Sequence, residues 1–309
     1  MPAAKPPVSV VIASRDKPAQ LRLTLACLAR QAGVDRPQVI VVDDSATGSA
    51  GRVTDEAARY LDLTALPGPR RGRAAARNAG AARAASDWLL FLDDDILTGA
   101  HFAATHLAAL ADRVFCHGRL RELPAAGRLL AELDGAAVAD IGAAADRVAA
   151  GLAGPRFRLV ANALERAVEA LAEGRVPDVA PWLGCVGANV SVPKGAFDQV
   201  GGFAEEFGLA WGCEDLELGL RLYRCGLRRV LAADALGVHL SHARPGRWAE
   251  HTENLEKFVA RHPIAAVREL PALLGADGSV DDYVAAVQAA QPAPPAQSAR
   301  PALAIQRPE

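Results

Sequence analysis

The chain has 309 residues, with 34 Lys and Arg against 36 Asp and Glu and a formal charge of −2; it lacks the basic footprint with which nucleic-acid binders neutralise phosphates, so no nucleic-acid partner is expected. Five scattered cysteines, Cys27, Cys116, Cys185, Cys213 and Cys225, form no CxxC pair, which excludes a metal finger or disulfide frame and favours free thiols in a reducing compartment. Apolar runs of about five residues fall far short of the ~20 needed to span a bilayer, and no signal-peptide core is recognisable. A cytoplasmic location without a transmembrane segment is expected, with peripheral membrane contact left open.

In chain order, residues 8–12 form an apolar run interrupted only by Ser9, the signature of a strand buried on both faces. Leu21, Leu25 and Leu28 then recur at helical spacing, and Pro18 stands where a first helical turn tolerates proline. Residues 39–42 repeat the strand signature and run into Asp43 and Asp44. The helical stretch GRAAARNAGAARAAS leads to a third strand, WLLFLDDD. Short apolar strands separated by helices predict an α/β fold, Rossmann-like, with a mostly parallel central sheet flanked by helices. In such sheets ligands collect beyond the carboxyl ends of the strands, where Asp43, Asp44, Asp93, Asp94 and Asp95 fall.

Residues 125–178 are Ala-rich, with Leu152, Leu159, Leu164 and Leu171 as a sparse apolar face, and are expected to form a helical insertion. Gly-punctuated loops and strands resume after it, and a helix is predicted over 214–225 with Leu216, Leu220 and Tyr223 facing inward. The expected division is a unit over 1–262, comprising a nucleotide-binding half (7–124), the insertion (125–178) and an acceptor and catalytic half (179–262). A helical extension (263–290) and a Pro/Ala-rich, disordered tail (291–309) follow.

Three consecutive acids after an apolar strand need water or a positive partner. A polar strand end or a helix cap is the simplest account. In extended geometry, however, Asp93 and Asp95 share one side while Asp94 points elsewhere, and two hard oxygen donors on one side suit Mg²⁺ or Mn²⁺ holding a diphosphate. Asp43 and Asp44 either begin a turn or accept hydrogen bonds from a base or ribose. Arg73 and Arg77 either face solvent or offer guanidinium forks to phosphate.

Glu214 and Asp215 open the predicted helix, where the dipole favours acids in any case; the same placement would keep a general base ionised. Trp211 and Gly212 before them would supply an aromatic platform and close backbone approach. His239 and His242, in VHLSH after a strand-like run, suit a transition-metal site and favour Mn²⁺ over Ca²⁺. His101, His106, His117, His251 and His262 are read as structural or exposed.

Taken in order, VSVVIAS, VVDDS, ARNAG, FLDDDI, WGCEDLELGLRL and VHLSH resemble a family 2 glycosyltransferase of the GT-A fold over about residues 7–262. The closing portion resembles the galactosyltransferase-type region of chondroitin-polymerase-like enzymes and β-1,4-galactosyltransferases, where a WGGED motif precedes a metal-binding histidine. The resemblance implies inverting, metal-dependent transfer from a nucleotide-sugar donor, most often a UDP-linked hexose or N-acetylhexosamine, to a saccharide, glycolipid or small-molecule acceptor.

By motif matching it implies that Asp44 reads the base, with Ala13 at the start of the nucleotide pocket and Asp43, Arg73, Arg77 and Asp94 on the donor side. Asp93 and Asp95 match the ends of the DxD motif as metal-site carboxylates, Asp95 ahead of Asp93 as the direct ligand, with His239 as the later metal ligand and His242 in reserve. Asp215 matches the catalytic base, Glu214 stands beside it, and Trp211 and Gly212, with Trp182 and Asn189 of the loop 182–193, would bind the acceptor. Two departures are Cys213 in place of the motif's second glycine and Ser45 where a glycine commonly follows the double Asp. Two competitors are a sugar nucleotidyltransferase, for which IASRDKPAQ supplies little of the required Gly-rich basic loop, and a catalytically silent nucleotide-sugar binder, against which Asp215 stands.

Overall fold

The apolar runs over 8–12, 39–42 and 88–92 become neighbouring strands of a single sheet. The structure, a computed structural model, describes residues 5–243, 245–275 and 277–290, and the tail expected over 291–309 lies outside the described residues. The strands are β1 (Ser9–Ser14), β2 (Gln38–Asp43), β3 (Asp62–Pro67), β4 (Trp88–Asp93), β5 (Ile96–Thr98), β6 (Val114–Leu123), β7 (Asn189–Pro193) and β8 (Arg228–Leu240), in the order β3-β2-β1-β4-β7-β6-β8-β5. β1 pairs parallel with both β2 and β4, and β2 with β3. The far half is mixed: β7 lies antiparallel to β4 and β6, β5 antiparallel to β8, and β6 parallel to β8. Chain order reverses beside β1, the switch point at which α/β sheets open a crevice. β3 escaped the sequence pattern because it is an exposed edge strand. β5 is only three residues long.

The helices are α1 (Pro18–Leu28), α2 (Gly51–Ala57), α3 (Arg73–Ala81), α4 (Phe102–Ala109), α5 (Ala126–Glu132), α6 (Val138–Ala149), α7 (Ala163–Ala172), α8 (Lys194–Gln199), α9 (Glu214–Arg224), α10 (Arg247–Arg261), α11 (Ala265–Arg268), α12 (Pro271–Leu274) and α13 (Val280–Ala290). α1 buries Leu21, Leu25 and Leu28 on one sheet face, and α3 packs its alanines on the other. α3 is built of small residues because it lies so close to the sheet: a Cβ on Gly80 would stand 2.5 Å from Val11 Cγ1.

The insertion holds α5, α6 and α7, with Ile141, Ala145 and Val148 of α6 packed against Leu23 and Cys27 of α1. Its expected apolar face is corrected at Leu152, which follows the end of α6 and is 72% exposed, whereas Leu171 is buried in a second core. That core also collects Leu216 and Leu220 of α9, together with Val267, Leu270, Leu273, Tyr283 and Val287 of the last three helices. Each such side chain contributes about 1.5–3 kcal/mol by leaving water, so residues 263–290 are part of the packed body. Tyr223, expected inward, is 42% exposed.

The pairing of β6 with β8 contains an irregularity. Gly118 pairs with Ala232 and Leu120 with Gly237, so three extra residues of β8 are accommodated at the bulge. Beyond it Glu122 lies opposite His239. Among the described residues no helix is long and apolar enough to cross a membrane.

Candidate active site

The acidic triplet straddles the end of β4 and the tight turn into β5. Asp95 is fully buried, and its Oδ2 accepts a hydrogen bond from Lys17 Nζ at 2.7 Å. Asp94, in the turn just beyond β4, points away from the cavity: its Oδ2 accepts from Ser14 Oγ at 2.8 Å, and Lys17 Nζ lies 3.3 Å from its Oδ1. Burial pushes Asp94 up to about 7 against the pull of Lys17, with Asp95 and Asp93 adding to the rise. Burial also opposes ionisation of Asp95, but His239 and Lys17 outweigh it and hold this carboxyl well below the usual range.

β8 carries His239 to this turn by pairing it with Ile96, so His239 sits on the strand and His242 just beyond it. His239 Nε2 and His242 Nδ1 each lie 3.4 Å from Asp95 Oδ2. Donor atoms of these three residues all fall within 4.8 Å of one another. Behind them Glu122 Oε2 accepts from His239 Nδ1 at 2.7 Å and from Ser241 Oγ at 2.7 Å. A carboxylate on Nδ1 fixes the tautomer that turns Nε2 towards Asp95, the support that metal-ligating histidines ordinarily have. Burial would lower His239, yet Asp95 and Glu122 raise it to about 10; the same contacts bring Glu122 down to about 2 despite its burial.

These residues fit a divalent cation. One carboxylate with two imidazoles suits Mn²⁺ better than Ca²⁺, and Asp95 Oδ1 is buried without a hydrogen-bond partner, a position that an unpaired carboxylate oxygen tolerates poorly.

Asp93 stands apart from that cluster. Its Oδ1 accepts from Arg77 Nη2 at 2.7 Å, while Arg77 Nη1 donates to Glu214 Oε1 at 3.0 Å. Arg77 is 1% exposed and lies over the Phe203 ring at 5.2 Å. Gly187 makes room for it, since a Cβ there would stand 2.5 Å from its Cζ. The phosphate role expected of Arg77 is corrected: its fork is engaged as a buried strut tying the end of β4 to the start of α9. Arg73 remains partly exposed on the cavity wall, 3.8 Å from Glu214 Oε1.

α9 begins sharply. Gly212 (φ 101°) and Cys213 (φ 70°) both occupy the left-handed region, which explains why the motif favours glycine at the second position. Holding a cysteine there costs on the order of 1 kcal/mol. A Cβ on Gly212 would meet His251 Cδ2 at 2.8 Å. The turn delivers Asp215, whose Oδ2 accepts from Gly187 N at 3.0 Å and whose Oδ1 accepts from Leu216 N at 2.8 Å. Burial, then the charge of Glu214, raises Asp215 to about 6 against Arg77 and the two amides. The helix N-terminus was expected to hold it ionised; burial outweighs that effect, and Asp215 is nonetheless mostly deprotonated at neutral pH.

Asp93, Asp95, His239, His242, Glu214 and Asp215 line one cavity of about 640 Å³. Its aromatic wall is formed by Trp211, with Trp248 crossing it at 6.0 Å and 89° and His251 at 5.5 Å. Glu250 accepts from the Trp211 amide at 2.9 Å, and the Arg247 guanidinium lies 4.9 Å from the Trp248 ring. The insertion contributes Asn162 and Leu164.

Several residues expected at the site lie outside these walls. Trp182 is buried in the second core against Phe258, at 5.7 Å. Asn189 is fully buried: its Oδ1 accepts from His106 Nε2 at 2.8 Å and its Nδ2 donates to Ala235 O at 3.0 Å. Both are corrected from acceptor contacts to structural residues. Ala13 is partly buried in the sheet core. Asp43 accepts from Ser45 N and Ala50 N, organising the approach to α2. Asp44 accepts from Arg70 N and Gly72 N, fastening the loop before α3. Conversely, Lys17 and Glu122 are cavity residues that motif reasoning passed over, and His251, expected to be structural or exposed, lines the cavity as well.

Residues 9–116 match the family described as "Glycosyl transferase family 2", and residues 179–243 that described as "N-terminal domain of galactosyltransferase". The chain is 31% identical over 273 residues to validoxylamine A glucosyltransferase of Streptomyces hygroscopicus subsp. jinggangensis (strain 5008), covering 84% of this chain and 61% of that protein. It thus spans about three fifths of that relative's length. Among solved structures it resembles a Pyrobaculum calidifontis mannosyltransferase in complex with GDP-Man and Mn²⁺ (TM-score 0.55, 16% identity, 93% of this chain and 70% of that one). It also resembles GalNAc-T7 with UDP, GalNAc and Mn²⁺ (TM-score 0.56, 15% identity, 88% and 52%). These likenesses, at low identity, establish the GT-A architecture. Residues 9–116, which carry Lys17, Arg73, Asp93 and Asp95, are thus a glycosyltransferase family 2 segment, and residues 179–243, which carry Glu214, Asp215, His239 and His242, match the galactosyltransferase family.

Proposed function

We propose that the protein transfers a sugar from a nucleotide-linked donor to an acceptor hydroxyl, with inversion at the anomeric carbon and dependence on Mn²⁺ or Mg²⁺. The observation that carries this reading is that the Asp95, His239 and His242 cluster and the Asp215 carboxylate share one cavity. A divalent cation bound by Asp95, His239 and His242 would supply the positive charge that a departing diphosphate requires. Asp215 would accept the acceptor hydroxyl proton as that oxygen bonds to the anomeric carbon and the bond to the diphosphate breaks. A single displacement of this kind inverts the centre and needs no covalent sugar adduct. Glu214, with Oε2 buried and unpartnered, would hold a donor or acceptor hydroxyl, and Arg73 would face the diphosphate.

On the same reading Ala13, Asp43 and Asp44 shape the nucleoside end and Asp93 the ribose side, with residues 7–124 as the donor half and 179–262 as the acceptor half. Trp211 and Gly212 would border the acceptor. A UDP-linked hexose or N-acetylhexosamine is the proposed donor, and glucose is the first sugar to try because the matched relatives are named glucosyltransferases. The acceptor would be a saccharide or small polyol whose apolar ring face stacks on Trp211. The five free thiols support a reducing, cytoplasmic setting.

The test is a panel of nucleotide sugars screened for Mn²⁺-dependent nucleotide release, with validoxylamine A and simple sugars as acceptors. Wild type is run beside Asp95→Ala and Asp215→Asn. Release that both substitutions eliminate supports the proposal. Tight donor binding without turnover for any acceptor returns the silent binder.

A further inference from the structure

Lys17 has no part in the chemistry proposed above, yet its ammonium lies at the focus of the metal cluster. Its Nζ is 2.7 Å from Asp95 Oδ2, the oxygen that His239 Nε2 and His242 Nδ1 each approach at 3.4 Å. A divalent cation binds a carboxylate oxygen at about 2.0–2.2 Å. An ammonium on this oxygen and a cation held by the same carboxylate would stand only about 4 Å apart as like charges in a buried site, so the ammonium opposes the cation.

The surroundings give Lys17 somewhere to go. Its side chain is 27% exposed, and the lysine stem is flexible with rotatable donors. Asp94 Oδ1 already lies 3.3 Å away, on a carboxylate held in place by Ser14 Oγ on its other oxygen. Asp94 is buried and does not line the cavity, so an acid that serves no donor contact has a use as an alternative seat. Lys17 itself lines the cavity beside Arg73 and Asp93, on the side assigned to the diphosphate.

We propose that Lys17 is an exchangeable counter-ion, seated on Asp95 in the metal-free protein and shifted onto Asp94 and the donor's diphosphate when the metal binds. The inference rests on the metal reading of the cluster. It makes Lys17 a positioning residue that lowers affinity for the metal alone and raises it once a diphosphate offers the ammonium a new partner. Metal and nucleotide then bind cooperatively, each strengthening the other by the same factor.

The experiment is calorimetric titration of Mn²⁺ into wild type, Lys17→Met and Asp95→Ala, each with and without saturating UDP, and with folding verified by thermal melts. UDP should strengthen Mn²⁺ binding to wild type about tenfold. In Lys17→Met, Mn²⁺ alone should bind at least fivefold tighter and the gain from UDP should shrink to about twofold. Equal Mn²⁺ affinity in wild type and Lys17→Met, or an undiminished gain from UDP, would overturn the counter-ion role while leaving the metal site standing. No Mn²⁺ binding to any form, or binding unaffected by Asp95→Ala, would instead overturn the metal reading and this inference with it. If Lys17→Met does not fold, Lys17→Gln removes the same charge and is judged by the same two outcomes.

Discussion

Replacing Asp215 by Asn should abolish transfer and at the same time stabilise the protein at neutral pH. The carboxyl is raised from its ordinary 3.8 to about 6, so the ionised form is disfavoured in the fold. At about 1.4 kcal/mol per unit, the fold carries a penalty on the order of 3 kcal/mol above pH 6 and none below about pH 4. Part of the residue reaches the cavity, and screening there trims the penalty to about 2 kcal/mol. Asn keeps one acceptor oxygen and therefore loses one of the two amide hydrogen bonds, from Gly187 N or Leu216 N, which costs about 1 kcal/mol. The variant should be about 1 kcal/mol more stable than wild type at pH 7.5 and about 1 kcal/mol less stable at pH 4, with the crossover inside the window from 4 to 6. Urea denaturation at these two values measures it. A stability difference that does not change with pH would refute the burial argument, and transfer within tenfold of wild type would remove Asp215 as the base. Wild-type turnover should rise with pH through about 6 as Asp215 loses its proton beside Glu214, Arg77, Cys185 and Cys213.

Glu122→Ala should weaken Mn²⁺ binding by about 10- to 100-fold, since it frees the His239 ring it orients; calorimetry giving an unchanged affinity would deny Glu122 that role. Arg77→Met should cost about 3–5 kcal/mol by leaving Asp93 and Glu214 without their buried partner, read as a shift in the denaturant midpoint, and a loss below 1 kcal/mol would show those charges to be solvated. At position 213 the usual preference should invert, with Cys213→Gly about 1 kcal/mol more stable than Cys213→Ala because only glycine adopts φ 70° without strain. Equal melting temperatures for the two variants would mean that the turn relaxes when its side chain is changed.

Much of the parallel part of the sheet was legible because its strands are short, largely apolar runs: Val10, Val39 and Leu90 pair as their patterns predict. Asp93, Asp95 and Asp215 likewise emerge from runs whose geometry is local, a strand end and a helix start. Non-local contacts were not legible. Nothing in FCHGRLRELP announces that Glu122 meets His239, 117 residues away. Lys17 reads as a residue before a helix until the acidic turn closes over it. Arg77 was misjudged because whether a guanidinium meets phosphate or two carboxylates depends on how α9 docks against α3. Trp182 and Asn189 failed for a related reason: Trp182 is buried in a core completed by the helices over 263–290, which carry no motif, and Asn189 opens β7, where His106 and Ala235 engage its side chain.

The irregular pairing of β8 has a consequence for how the metal site could be gained or lost. Between Ala232 and Gly237 the strand advances five residues while β6 advances two. The difference is odd, so the inside-outside parity of β8 reverses across the bulge. His239 therefore shares a face with residues whose positions differ from its own by an odd number on the other side of the bulge. Removing or adding one residue over 233–236 sets the bulge against the register that pairs His239 with Ile96 and Glu122: if the bulge does not absorb the change, the imidazole turns to the opposite face with every ligand side chain intact. The cluster is thus as sensitive to the length of a short, chemically unremarkable segment as to the identity of its own side chains.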